Sequence, residues 1–402
     1  MSKKAYIVLG IILVLIVGAG VTLVIVSKKT TTTSTTTIPT PATTTTTTTA
    51  PTTGTTGTAT TPTGTTTTPS TGATATTDAL ERRTTDQVIS PILSFQGNQI
   101  WYFTADGNLE QLDLSTATLQ KYVLPKALTV SSAIWPLQGS DFILVSINSN
   151  GTKAFNYYNS ANKTFTTYPA NVKEAQFMPS GNQVIYVWDN GNNTSSLSIA
   201  DPSLANHKQL VASLPDADDT VVISPLGDHV LMYNASAPAN NKLYLMALSD
   251  TKIHTIKTGP ENAAIWSNDG KHFVFNKYNT TMPSDTTLWS GSVASATSDT
   301  SLGITVPVSK LAFNTTGDTL YYAAPDSGAS SAASSSDDSE QTQAITLPDS
   351  LWSYSFATAA KTEVFSGNIY NLNATNLLIS NDGKTLYFKN GDGYLYSVVV
   401  SK

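Results

Sequence analysis

Seven glycines set the plan of this chain. Gly97, Gly139, Gly181, Gly227, Gly270, Gly317 and Gly383 each stand between two short apolar runs, at spacings of 42, 42, 46, 43, 47 and 66 residues. ILSF, SAIW and EAQF precede the first three, and QIWYF, FILVSI and VIYVW follow them. Strand, tight polar turn and strand, repeated about every 40 to 47 residues, is the pattern of a four-stranded propeller blade. The long last interval holds Ser327 to Gln343, a Ser-rich acidic insertion expected as a loop between the second and third strands of the sixth unit. Third strands follow at Leu243-Tyr-Leu, Leu288-Trp289, Leu351-Trp352 and Tyr394-Leu-Tyr396, and fourth strands at Leu119 to Leu124 and Thr164 to Tyr168. The second strands show no polar alternation, as expected of sheets covered on both faces. The six tryptophans fall in these strands and are assigned to packing between blades.

The spacing therefore implies an all-β fold over residues 78–402, a seven-bladed β-propeller of four-stranded antiparallel blades. The seventh unit has only three strands before Lys402, and Ala79 to Thr85 is expected to supply the fourth by pairing with Tyr394 to Val400. Such a pairing closes the ring and covers an open strand edge.

Residues 1–77 have a different character. Ala5 to Val26 is an uncharged apolar run of 22 residues, long enough as a helix to cross a hydrocarbon layer of about 30 Å. Residues 1–29 are expected to be a transmembrane anchor with lysine flanks, contacting the lipid bilayer through Ala5 to Val26. Residues 30–77, almost wholly Thr, Pro, Gly, Ala and Ser, are expected to form a disordered stalk, because that mixture buries too little apolar surface to offset the entropy of ordering. Thr- and Pro-rich stalks point to the outer side of a membrane, with the N-terminus inside and the propeller exported.

Charge and chemistry narrow the function. Of 22 Lys and Arg, four precede residue 78, so 18 stand against 28 acids in the remainder, a balance of ten negative charges. A nucleic-acid partner is not expected on that balance, since phosphate binding needs a basic face. The absence of cysteine removes disulfides, thiolate metal sites and a cysteine nucleophile. His207, His229, His254 and His272 are scattered, there is no HExxH or GxSxG, and neither a cofactor nor a metal site is expected.

The units resemble the TolB-type propeller repeat, best at Pro179-Ser-Gly181, Ser224-Pro-Leu-Gly227, Ser267-Asn-Asp-Gly-Lys271 and Ser380-Asn-Asp-Gly-Lys384. The likeness covers roughly residues 79 to 402, departs most around Gly97 and Gly139, and implies a fold rather than an activity. TolB-like peptidases carry a hydrolase domain after the propeller, and none is expected here after the last unit.

Glu174, Asp219 and Glu261 stand at the starts of consecutive inner strands, seven, eight and nine residues before their glycines. At one mouth of an axial channel they could hold a cation or an amine. The resulting expectation is a binding module, monomeric as a propeller, for a protein, peptide or envelope polymer. The alternatives are a glycan lyase or hydrolase using those carboxylates, and a structural or sensory subunit of an envelope complex. A broad exposed apolar patch on one face favours binding, and a buried, perturbed carboxylate at a channel mouth favours the enzyme.

Overall fold

A computed structural model describes residues 80–124, 129–234, 242–258, 261–278, 286–295, 298–325, 348–367 and 369–400, without the side chains of residues 257, 258, 261, 262 and 278. The expected membrane span, the stalk and the Ser-rich insertion lie outside the described residues. Among the described residues no helix is long and apolar enough to cross a membrane.

The described strands form seven antiparallel sheets of four. Their first strands, Ile89–Leu93, Ser132–Ile134, Val172–Phe177, Thr220–Ile223, Glu261–Trp266, Leu311–Phe313 and Thr375–Ile379, begin blades I to VII. Inner strands of neighbouring blades touch, with blades V and VI meeting through the turn Val308–Lys310 and a shared apolar cluster, and that of blade VII touches that of blade I, which makes a closed ring around an axis. The seven-bladed propeller expected from the glycine spacing is the observed fold.

The apolar second strands bury both faces, each against a different neighbour. In the second strand of blade V, His272–Tyr278, Phe273 and Phe275 pack with Leu231 and Leu243 of blade IV. Val274, between them, packs with Leu311 and Leu320 of blade VI. In the second strand of blade III, Val184–Gly191, Val184 and Tyr186 face blade II, and Ile185 and Val187 face blade IV. Period two persists here as alternation of partners, and polarity no longer marks it. Burial falls off outward, to the fourth strand of blade I, Leu119–Tyr122, where every residue is exposed to solvent.

The ring closes through the N-terminal end of the propeller. Glu81–Arg82 pairs with Leu395–Val399 to complete blade VII, with Glu81 opposite Ser397 and Arg82 opposite Tyr396. Leu395 N donates to Thr84 Oγ1 at 3.1 Å, Arg83 N to Leu395 O at 2.8 Å, and the Arg82 guanidinium lies 3.5 Å from the centroid of the Tyr394 ring. The strand is shorter than expected, two residues, because the chain turns inward at Thr84 to reach the first inner strand. Between the second and third strands of blade VI, Thr319–Pro325 and Asp349–Ser355, falls the Ser-rich insertion, as its position in the repeat required.

Five of the seven turn glycines, all but Gly139 and Gly383, sit against the turn of the preceding blade. A Cβ added at Gly181, at φ +75°, would lie 2.2 Å from Gln138 O in the turn of blade II. Only glycine satisfies both that left-handed backbone and that approach.

Candidate functional site

All inner strands run the same way, so the axial channel has a start mouth, where they begin, and a turn mouth, where they end at the glycine turns. A cavity of about 890 Å³ occupies the turn mouth and draws lining from every blade. The residue four before each turn glycine forms its main wall: Leu93, Trp135, Phe177, Ile223, Trp266, Phe313 and Ile379. Ile92, Ile134, Gln176, Ile265, Ala312 and Leu378, one place earlier, complete it. The wall is apolar except for Gln176 and, just below the rim, Ser94 and Ser224. At the rim stand Phe95, Leu137, Pro179, Pro225, Asn268, Thr315 and Asn381, each two residues before its glycine. Blades I to IV thus give the rim apolar side chains and blades V to VII give it amides and a hydroxyl.

Bonds between neighbouring inner strands hold this wall in place. Ser90, at φ 49° in the bulge between Ile89 and Ile92, turns both its polar oxygens to blade II. Its Oγ accepts from Ala133 N at 2.9 Å, and its carbonyl accepts from Trp135 Nε1 at 2.8 Å. Trp266 Nε1 donates to Val222 O at 2.9 Å, and Ile223 N to Gln176 Oε1 at 3.1 Å. Each indole therefore buries its one donor in a bond to the preceding blade, which leaves the rings as apolar surface. Trp135 also stacks on Phe103 at 5.3 Å between centroids and meets Trp101 edge-on at 6.3 Å. The tryptophans pack between blades as the sequence implied, and two of them line the cavity as well.

The three acidic residues singled out in the sequence belong to the other end of the inner strands. A bulge between Glu261 and Ala264 shifts the alternation of that strand, so offsets of seven, eight and nine residues do not by themselves fix which way the three side chains face. Glu174 is ion-paired with Lys153 of the third strand of blade II, both partly exposed. Asp219, only 1% exposed, lies inside the wall. Its Oδ2 accepts from Asp216 N at 3.1 Å, and its Oδ1 has no hydrogen-bond partner. Burial pushes its pKa up to about 7, and the carboxylates of Asp216 and Asp218 add to the rise against the opposing Asp216 N–H. Glu261 is placed by its backbone opposite Lys277, and its side chain lies outside the described residues. Lys173, in the bulge between Val172 and Glu174, bonds Asp218 at 3.1 Å and the carbonyl of Ala217 at 3.3 Å. Among the described residues no group of three or more His, Asp or Glu side chains is gathered to hold a metal ion.

The sequence matches no protein-family model and no curated protein. Solved structures do resemble it. An oligogalacturonate lyase in complex with manganese superposes with a TM-score of 0.58 at 14% identity, covering 82% of this chain and 95% of that one. The oligogalacturonate lyase of Vibrio parahaemolyticus gives 0.58 at 10% identity, with the same coverage. The propeller domain of Cps50 (Swd1) from Myceliophteria thermophila gives 0.54 at 11%, covering 81% of this chain and all of that one. The likeness is one of fold. It joins a lyase and a protein of unrelated name on the same ring of blades, as expected of an architecture that hosts many functions.

Proposed function

We propose that this chain is a membrane-anchored, exported binding module, and that the cavity at the turn mouth is where its propeller engages an apolar group of a protein, peptide or envelope polymer. One observation carries the reading: a socket of about 890 Å³ walled by aliphatic and aromatic side chains from all seven blades and open at a partly apolar rim. A concave apolar wall with a few polar groups at its edge gains most from burying a hydrocarbon or aromatic moiety. The TolB-like turns support recognition on a rigid scaffold, and the lysine-flanked apolar run ahead of the Thr-rich segment supports the anchored, outward placement. The propeller acts as a monomer in this reading.

The test is capture from native membranes with a soluble fragment starting at Asp78, beside a variant carrying Ile134→Gln and Ile265→Gln. Gln176 already occupies the equivalent place in blade III, so the ring accepts glutamine there. Capture by the native fragment and its loss in the variant is the expected result. The same proteins or polymers recovered on both would count against the socket.

A second reading has one observation in its favour, the buried, perturbed carboxyl of Asp219 at the start mouth. Here the chain is a glycan lyase or hydrolase, with Glu174, Asp219 and Glu261 as acid and base. Its test is cleavage of acidic oligosaccharides such as oligogalacturonate by the native fragment and loss of that cleavage in Asp219→Asn. No turnover by the native fragment would remove this reading.

A further inference from the structure

The chain ahead of the propeller joins it on one side. Glu81 and Arg82 run antiparallel to Ser397 and Tyr396, and Val400 N donates to Lys384 O, in the last glycine turn, at 2.8 Å. The third strand of blade VII therefore ends at the turn mouth, and the closing strand beside it begins there. Residues after the closing strand lead the opposite way, since Val88 N bonds Gly393 O at 2.8 Å and Gln87 Nε2 bonds Asp392 O at 2.9 Å. The polypeptide before Leu80 thus meets the ring at the turn-mouth side.

The projecting turns on that side are of two kinds. Phe95-Gln-Gly-Asn, Leu137-Gln-Gly-Ser, Pro179-Ser-Gly-Asn and Pro225-Leu-Gly-Asp carry a single charge among them, Asp228. Phe95, Leu137 and Leu226 are 63%, 49% and 61% exposed. The turns of blades V to VII hold Asp269, Lys271, Asp318, Asp382 and Lys384 and expose no large apolar side chain. Because the blades repeat around one axis, tips on blades I, II and IV lie at similar height along an arc. An arc of separate apolar tips suits a flat, yielding apolar layer better than it suits one side chain of a folded partner.

We infer that this arc docks on lipid: Phe95, Leu137 and Leu226 insert into the near leaflet of the membrane that carries the chain. The charged turns of blades V to VII stay in water. The propeller then leans on its first four blades, and the socket remains open from the side of Asn268, Thr315 and Asn381. The inference rests on the anchored reading and adds to it, since it restricts the ligand of the socket to groups found at the membrane surface. Tethering supports the docking, because a chain already held at the bilayer meets it at a high effective concentration and needs only a weak contact.

The absence of cysteine allows a direct test in the full chain. Phe95→Cys, Leu137→Cys, Leu226→Cys and, at an exposed turn on the opposite face, Ser149→Cys are each labelled with a polarity-sensitive fluorophore. The proteins are reconstituted in vesicles of phosphatidylethanolamine and phosphatidylglycerol. The expected result is a blue shift with several-fold brighter emission at the three arc positions, quenched by brominated lipid, and a water-like signal at position 149. A chain that floats with the vesicles while all four labels stay water-like overturns the docking and leaves the anchored reading standing. A chain that does not float overturns both. Arc labels that become buried only when membrane proteins are added, and not with lipid alone, also overturn it, in favour of a protein partner.

Discussion

Gly181→Ala and Gly383→Ala form a matched pair that separates two reasons for glycine in a turn. Both positions have a left-handed backbone, at φ +75° and +71°, but they differ in surroundings. A Cβ at Gly383 meets nothing within 4 Å, whereas at Gly181 it would lie 2.2 Å from Gln138 O and 3.3 Å from Pro136 Cβ. The conformational cost is common to both, about 1–2 kcal/mol, reduced by a few tenths to about 1 kcal/mol as alanine restricts the unfolded chain. At Gly181 the turn must also move off a backbone carbonyl of the neighbouring blade, an overpacking cost of about 1–3 kcal/mol. Gly181→Ala should therefore be the less stable variant by about 1–3 kcal/mol. Urea unfolding of the 78–402 fragment, followed by tryptophan emission, measures the difference as a shift in midpoint at constant slope. Equal midpoints for the two variants would refute the tiling of turns across the blade II–III boundary, because only that contact distinguishes them.

Asp219 should make stability depend on pH. Burial lifts its folded pKa from 3.8 to about 7, so the native state holds a proton that the unfolded chain has released. Stability is then greatest at low pH and is lost as pH climbs toward 7, by about 2–3 kcal/mol between about pH 5 and about pH 8. Asp219→Asn should flatten that part of the profile, and identical slopes for native and variant protein would count against a raised carboxyl. Removing residues 80–85 should expose Leu395–Val399 as an open edge and broaden or lower the melting transition, and an unchanged calorimetric profile would contradict the closure. Substituting Glu174, Asp219 and Glu261 together by their amides tests the start mouth, where loss of cation or amine binding by calorimetry is expected if the carboxylates act as one site.

The fold was legible because the turn glycines answer to a backbone requirement that few other residues meet, and their spacing counts the blades. The closing strand was legible from arithmetic on the last unit, although not its length, which depends on where Thr84 turns the chain inward. The candidate site was less so. The offsets of Glu174, Asp219 and Glu261 from their glycines carried no information on facing, because a bulge between Glu261 and Ala264 shifts the alternation, and nothing in the sequence marked Asp219 as buried. The opposite mouth gave a fainter signal: Phe95, Leu137 and Leu226 are large apolar residues in turns where the other units place proline, amides, hydroxyls or acids. Sequence could not show that the residues four before each glycine converge on one cavity. That convergence follows from bonds such as Trp135 to Ser90 and Trp266 to Val222, which join residues more than forty positions apart.

The ring's clasp has a mechanical consequence. Tension applied to the polypeptide ahead of Leu80 acts first on Glu81–Arg82, the shortest strand in the ring and the one that joins its two ends. A pull along that strand loads its few hydrogen bonds in shear, and a sideways pull peels them one after another. Either way blade VII is where the wheel springs open, while the same force applied between two other blades must first part the packed apolar faces that join them.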